Sequence, residues 1–390
     1  MHKIGIISTC LPTQCGIATY SDDLINYLKV QYPFLNFHQF ELSFVPKTNN
    51  PKRFVIRNYQ AEDYIKAYEF INSSDIDLLD IQHEFKIFGK PDGENINILL
   101  ENVTKPIVAT LHTVNIEFPK NRESIFRKIT SRSDLLFVFS EYAKNCIVDK
   151  YNVEESKVRV IPHGTPIIPF RLPQEIQERK YSQDVLIFVS SGHMRETKGY
   201  DIAINALNKI KNIIGNFHYY IIGEDHPQNE TAKAYRKYLI KLINEFDFKD
   251  NITFINRYLP QEELIGSIQM ADVCLLPYSK KEQSSSGVLA LMIACGRPVI
   301  ATPFQFANSR ITTQSGIVTK TFLSDDFAKG ILNLIKRKSS WDKIRCYNHT
   351  LGLSWNWINV VKQYYQGYEK AIIGYRDIVN YSASEQSDYK

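Results

Sequence analysis

The chain has 390 residues, 44% hydrophobic and 23% charged, with 47 Lys and Arg against 42 Asp and Glu. That length exceeds one ordinary core and suits two α/β domains, and the composition excludes a disordered chain. A net charge of +5 without a clustered basic stripe argues against a nucleic-acid partner, and six cysteines with no CxxC pair or zinc spacing argue against a metal site.

The apolar run Ile4-Gly5-Ile6-Ile7-Ser8 is too short for a signal peptide and reads as a first strand. No stretch approaches the ~20 apolar residues of a spanning helix, so the expected place is the cytoplasm, with peripheral contact at the inner membrane face left open. A helix over 16–28 follows, with Ile17, Leu24, Ile25 and Leu28 on one face. Further strands are expected at 77–82, 106–112, 135–140 and 158–162. Pro162-His163-Gly164-Thr165-Pro166 then opens a linker.

The second half repeats the rhythm. Strands are expected at 185–190, 218–223, 252–256, 273–277, 298–302 and 316–319, with helices near 200–214, 231–246, 261–270 and 285–294. Strands alternating with helices are the signal of parallel βαβ units. The tail over 354–373 carries Trp355, Trp357, Tyr364, Tyr365 and Tyr368 and reads as a helix that crosses back to the first domain. The expected division is a first Rossmann-like domain over 1–165, a linker over 166–181, a second Rossmann-like domain over 182–352, a returning helix over 353–375 and a frayed tail over 376–390.

Two stretches carry chemistry. After a strand ending at Pro277 comes Gln283-Ser284-Ser285-Ser286-Gly287 and then a helix. The first N–H groups of a helix lack intrahelical partners and sit at the positive end of its dipole, which suits a diphosphate. Taken alone, the serines read as a helix cap. The second stretch is Gly192-His193-Met194-Arg195-Glu196-Thr197-Lys198-Gly199. Arg195 and Lys198 lie three apart between a strand and a helix, so both reach one anion. Taken alone, they read as two solvated cations.

Together, Gly-x-x-Arg-x-x-Lys-Gly, Ala271-Asp272-Val273, Leu276-Pro277, the Ser-Ser-Gly start and Gly296-Arg297-Pro298 resemble glycosyltransferase family four. Ser8-Thr9-Cys10 with Cys15-Gly16-Ile17, Gln82-His83-Glu84-Phe85, Leu111-His112-Thr113 and Ile161-Pro162-His163-Gly164 resemble a subset of it. The resemblance implies an α/β, GT-B architecture: two Rossmann-like doubly wound parallel sheets facing across a cleft. It implies a retaining hexosyl transfer from a UDP- or GDP-sugar to a glycan, lipid-linked or small polyol acceptor, with mannose or glucose as the sugar. No cofactor and no obligatory metal are implied. By position Arg195 and Lys198 hold the diphosphate, Gly16 lies near the donor phosphate, and His112 faces the transferred sugar. His193, Gln283, Ser284, Ser285, Ser286, Gly287, Glu224 and Arg257 fall on the donor side, and His83 and Glu84 on the acceptor side. Asp225 and His226 follow the same strand as Glu224.

This sequence departs from the family where two glutamates usually stand, since Gln283 and Leu291 occupy those places. Gln283 still hydrogen-bonds but carries no charge, and Leu291 cannot bond a ribose hydroxyl. Two rival readings follow: a GT-B nucleotide-sugar epimerase, or a non-catalytic sugar-nucleotide binder. A dinucleotide-dependent dehydrogenase is disfavoured, because no Gly-x-Gly-x-x-Gly follows the first strand.

Overall fold

A computed structural model describes residues 2–44, 53–177, 179–182, 184–225 and 231–387. The chain divides into two compact units, one of residues 1–164 with 357–390, the other of residues 165–356. Among the described residues no helix is long and apolar enough to cross a membrane.

The first unit is built on a seven-stranded parallel sheet: β1 (Lys3–Ser8), β2 (Asn36–Ser43), β3 (Phe54–Arg57), β4 (Leu78–His83), β5 (Ile107–Leu111), β6 (Leu135–Val138) and β7 (Val158–Val160). Their order is β3-β2-β1-β4-β5-β6-β7. The chain runs outward from β1 in one direction and from β4 in the other. The loops after these two strands therefore leave the sheet side by side, where ligands of open parallel sheets bind. The sequence reading misses β2 and β3. Asn-Phe-His-Gln-Phe-Glu-Leu-Ser in β2 is half polar, and β3 is a four-residue edge strand, so neither shows the continuous apolar run of a central parallel strand.

The second unit holds six parallel strands: β8 (Leu186–Ser191), β9 (Phe217–Ile222), β10 (Ile252–Ile255), β11 (Val273–Leu276), β12 (Val299–Ala301) and β13 (Gly316–Val318). Their order, β10-β9-β8-β11-β12-β13, places the switch between β8 and β11. Each unit has its own core: Ile7, Ile81, Leu111 and Leu136 are among the buried side chains of the first, and Phe188, Ile221, Leu275 and Ile300 of the second.

The helix Trp357–Ser387 belongs to the first unit and runs beyond 375, where the sequence reading ended it. No proline or glycine follows Gly374 to stop it. Residues 388–390 lie outside the described residues. Its Gly367 packs flat against the sheet, where an added Cβ would lie 2.4 Å from the Phe137 ring. The segment after Gly164 is tied to the second unit: the Pro169 carbonyl accepts from Gln269, and the Ile168 carbonyl meets His349 at 2.8 Å. Arg297 is fully buried beneath it and donates to the carbonyls of Cys295, Ala271 and Arg171.

Candidate functional site

In the second unit the two stretches singled out in the sequence meet, because β8 and β11 pair directly. The turn after β8 is stitched to the loop after β11. The Ser279 N–H donates to the Thr197 carbonyl at 3.1 Å, and its hydroxyl donates to the Glu196 carbonyl at 3.1 Å. Gly199 makes this closeness possible. Its φ is +63°, and a Cβ there would stand 1.9 Å from the Pro277 carbonyl oxygen.

Lys198 lies in the short turn Glu196–Lys198, and its ammonium sits 3.9 Å from the centre of the Tyr278 ring. Tyr278 is buried and stacked on Phe304, with centroids 4.7 Å apart. Its hydroxyl lies 3.4 Å from that of Ser286. One aromatic ring thus separates the lysine charge from the start of the helix Gly287–Ala294. Ser286 has extended backbone (φ −156°, ψ 103°), and its hydroxyl accepts from the Leu289 N–H at 3.2 Å, so the helix opens at Gly287 rather than at 285. Ser286 is therefore the cap, and the first N–H groups of the helix, those of Gly287 and Val288, form its positive end.

The remaining donor-side residues are distributed around this centre. Arg195 precedes the same turn and is half-buried, and its carbonyl accepts the Lys198 N–H. Ser284 is buried, and the Ser285 carbonyl accepts from the Gln283 side-chain amide at 2.8 Å. Gln283 is thus spent on holding the loop. His193 faces Tyr258 with ring centroids 6.3 Å apart. The Glu224 carbonyl accepts the Met194 N–H, joining the loops after β8 and β9. Asp225 pairs with Arg236, and His226 lies outside the described residues. Arg257, beyond the edge strand β10, pairs with Glu263, which holds its guanidinium above the usual arginine range. The structure therefore gathers Lys198 with Ser286 and Gly287, and engages Arg257 elsewhere.

In the first unit, Gly16 opens the helix Gly16–Gln31, which is capped by the Cys15 thiol. A Cβ at Gly16 would meet nothing within 4 Å among the described residues, so local packing does not demand glycine there. His112 directly follows β5 and is buried. Its Nε2 lies 3.0 Å from Gln82 Oε1, and its ring meets Tyr20 edge-on at 5.1 Å and Phe139 at 5.3 Å. Burial first, and the neighbouring imidazoles of His163 and His83 next, push its ring down to about 3, so it is neutral at ordinary pH.

His83 departs from its expected acceptor role. Its ring is fully buried, stacked on Phe88 and edge-on to Phe85, and neither ring nitrogen has a hydrogen-bond partner. Burial pushes it down to about 3. The strand pleat explains the difference: His83 faces the apolar layer, and Glu84 turns the other way. Glu84 accepts from the Thr113 hydroxyl at 2.6 Å, and burial raises its carboxyl above the usual range.

Sequence reasoning missed Tyr278, Asp80, Thr110 and Tyr20 as partners of the site. An acid in the middle of an apolar strand was the available signal for Asp80. Among the described residues no three His, Cys, Asp or Glu side chains cluster as metal ligands.

Residues 29–167 match the model of Glycosyltransferase Family 4, and residues 173–349 match that of Glycosyl transferases group 1. Curated relatives include a D-inositol 3-phosphate glycosyltransferase of Mycobacteroides abscessus, 23% identical over 264 residues (64% of this chain, 55% of the relative). Another is its namesake from Acidothermus cellulolyticus, 25% identical over 217 residues (50% and 46%). The chain spans about half the length of these curated relatives. Among solved structures, Anabaena HepE in complex with UDP and glucose superposes with a TM-score of 0.76 at 14% identity, covering 95% of this chain and 100% of that one. Sucrose-phosphate synthase from Thermosynechococcus elongatus gives 0.77 at 18%, covering 96% and 100%. Two family models in tandem over two parallel sheets, each with its own switch point, identify the chain as a family-four-like glycosyltransferase of GT-B fold.

Proposed function

We propose that this chain is a retaining hexosyltransferase that takes its sugar from a nucleoside-diphosphate donor. The observation that carries this reading is the Lys198–Tyr278–Ser286 arrangement at the switch between β8 and β11. A lysine charge and a helix start border the same aromatic ring there, an arrangement that suits a pyrophosphate. Lys198, Arg195 and the N–H groups of Gly287 and Val288 stabilise the negative charge that grows on the departing nucleoside diphosphate. The C–O bond from the sugar to the β-phosphate breaks as the acceptor hydroxyl attacks the same face. The released phosphate oxygen takes the hydroxyl proton, so no side-chain nucleophile is needed. In the first unit, Gly16 leaves room for a donor phosphate and neutral His112 contacts the transferred sugar, with Glu84 on the acceptor side.

A UDP donor is favoured by the HepE structures, which contain UDP and UDP-glucose. A small polyol acceptor is favoured by the inositol-phosphate glycosyltransferases among the relatives. The test is Arg195→Ala with Lys198→Ala: transfer from UDP-glucose falls at least a hundredfold while circular dichroism is unchanged. Unchanged turnover rejects the phosphate assignment. A new nucleotide sugar formed from donor alone marks an epimerase, and donor binding without transfer or hydrolysis marks a non-catalytic binder.

A further inference from the structure

Four polar residues occupy one layer beneath the carboxyl ends of β4 and β5. Asp80 and Gln82 are two apart on β4 and so share a face, as do Thr110 and His112 at the end of β5. Asp80, Gln82 and Thr110 are fully buried. They form a connected chain. The Gln82 amide nitrogen donates to Asp80 at 3.0 and 3.2 Å and lies 3.2 Å from the Thr110 hydroxyl, while its oxygen faces His112 Nε2. The helix Trp357–Ser387 closes the chain. The Tyr368 hydroxyl donates to Asp80 at 2.6 Å, and the Tyr364 hydroxyl lies 2.7 Å from that of Thr110 and 3.0 Å from that of Tyr20, whose ring abuts His112.

With Asp80 ionised, the polarity of this chain is set. A carboxylate accepts only, so Gln82 must turn its NH₂ towards Asp80 and its carbonyl oxygen towards His112. His112 must then carry its proton on Nε2. We propose that Tyr368, Asp80 and Gln82 are positioning residues that hold His112 as the neutral Nε2–H tautomer. Nδ1 is then the acceptor atom of the ring, and a group that meets it must be a donor, as a sugar hydroxyl is. This consequence rests on the reading of His112 as a sugar contact; the tautomer assignment does not. Loss of the Tyr368 hydroxyl removes a donor from Asp80, favours a protonated carboxyl, and lets Gln82 reverse. Its NH₂ then faces His112, and the ring proton moves to Nδ1. Burial already raises Asp80 to about 7, so the carboxylate depends on its two donors.

The experiment is ¹⁵N NMR of the full chain labelled at histidine, with His112 assigned by its absence in His112→Gln. The wild type should show a single Nε2–H tautomer at a pH well above the Asp80 value of about 7, a result that needs no stable variant. Tyr368→Phe and Gln82→Leu should move a substantial fraction to Nδ1–H. Tyr375→Phe, which alters a hydroxyl bonded to the Thr104 carbonyl, should not. With UDP-glucose, Tyr368→Phe should lower kcat roughly tenfold, the rate equivalent of one hydrogen bond, with donor KM within about twofold. A wild-type Nδ1–H tautomer overturns the proposal, as do unchanged ring signals and kcat in folded Tyr368→Phe. Unchanged transfer in His112→Gln overturns the sugar contact and leaves the tautomer assignment standing.

Discussion

The Lys198 ammonium rests 3.9 Å from the centre of the Tyr278 ring, and the hydroxyl of that ring reaches Ser286. The ring thus links the lysine to the helix start. Replacing it with an aliphatic side chain removes the cation–π attraction, about 1–2 kcal/mol for a partly desolvated pair. Tyr278→Leu should therefore raise the Kd for UDP roughly tenfold, while Tyr278→Phe keeps the ring and shifts it less than about threefold. Calorimetric titration with UDP checks this, and equal Kd values for the two variants would deny the ring its role.

Gly199→Ala should act on the same site from the backbone. The added methyl group meets the Pro277 carbonyl at 1.9 Å in a left-handed conformation, so the two loops must separate. The expected cost is about 1–3 kcal/mol of stability, with UDP binding reduced more than in Tyr278→Leu. Chemical denaturation and the same titration measure both.

Ser286 separates capping from anion binding. Ser286→Ala should lose about 1 kcal/mol through the missing cap. Ser286→Asp caps as well as serine does and restores most of that stability, but it places a negative charge where the diphosphate is proposed to sit. A stable Ser286→Asp protein that binds UDP as tightly as the wild type would falsify the anion assignment.

Buried imidazoles set the acid response. His83 and His112 are both pushed from 6.5 to about 3. Below pH 6.5 the unfolded chain takes up protons that the folded chain refuses, so their contribution is complete above 6.5 and is lost as pH falls towards 3. Asp80 acts in the opposite sense. Raised from 3.8 to about 7, its contribution is complete below 3.8 and is lost as pH rises through 7. His83→Phe should flatten the fall in Tm between pH 7 and 4.5 by about one proton, and Asp80→Asn should steepen it.

The central strands were legible because Ile4-Gly5-Ile6-Ile7 and Val273-Cys274-Leu275-Leu276 are apolar runs buried on both faces. Lys198 and the serine run were legible as a pair because they end strands that a parallel sheet brings together. The strands β2 and β3 were not legible, since both lack that continuous pattern. Nor was the partner of Lys198: an aromatic after a strand signals only packing until its neighbours in space are known. His83 and His112 end adjacent strands with similar surroundings in sequence. Only the pleat decides that one ring enters the core while the other joins Gln82.

The return of residues 357–387 to the first sheet reverses the usual order of completion during synthesis. The contiguous stretch 165–356 can close its own core once it leaves the ribosome. The amino-terminal sheet, made earlier, waits with Asp80 unsealed until Tyr364 and Tyr368 emerge. A nascent chain stopped before Trp357 thus carries a finished second unit beside an unfinished first one, and the half translated first is the half exposed longest to chaperones and proteases.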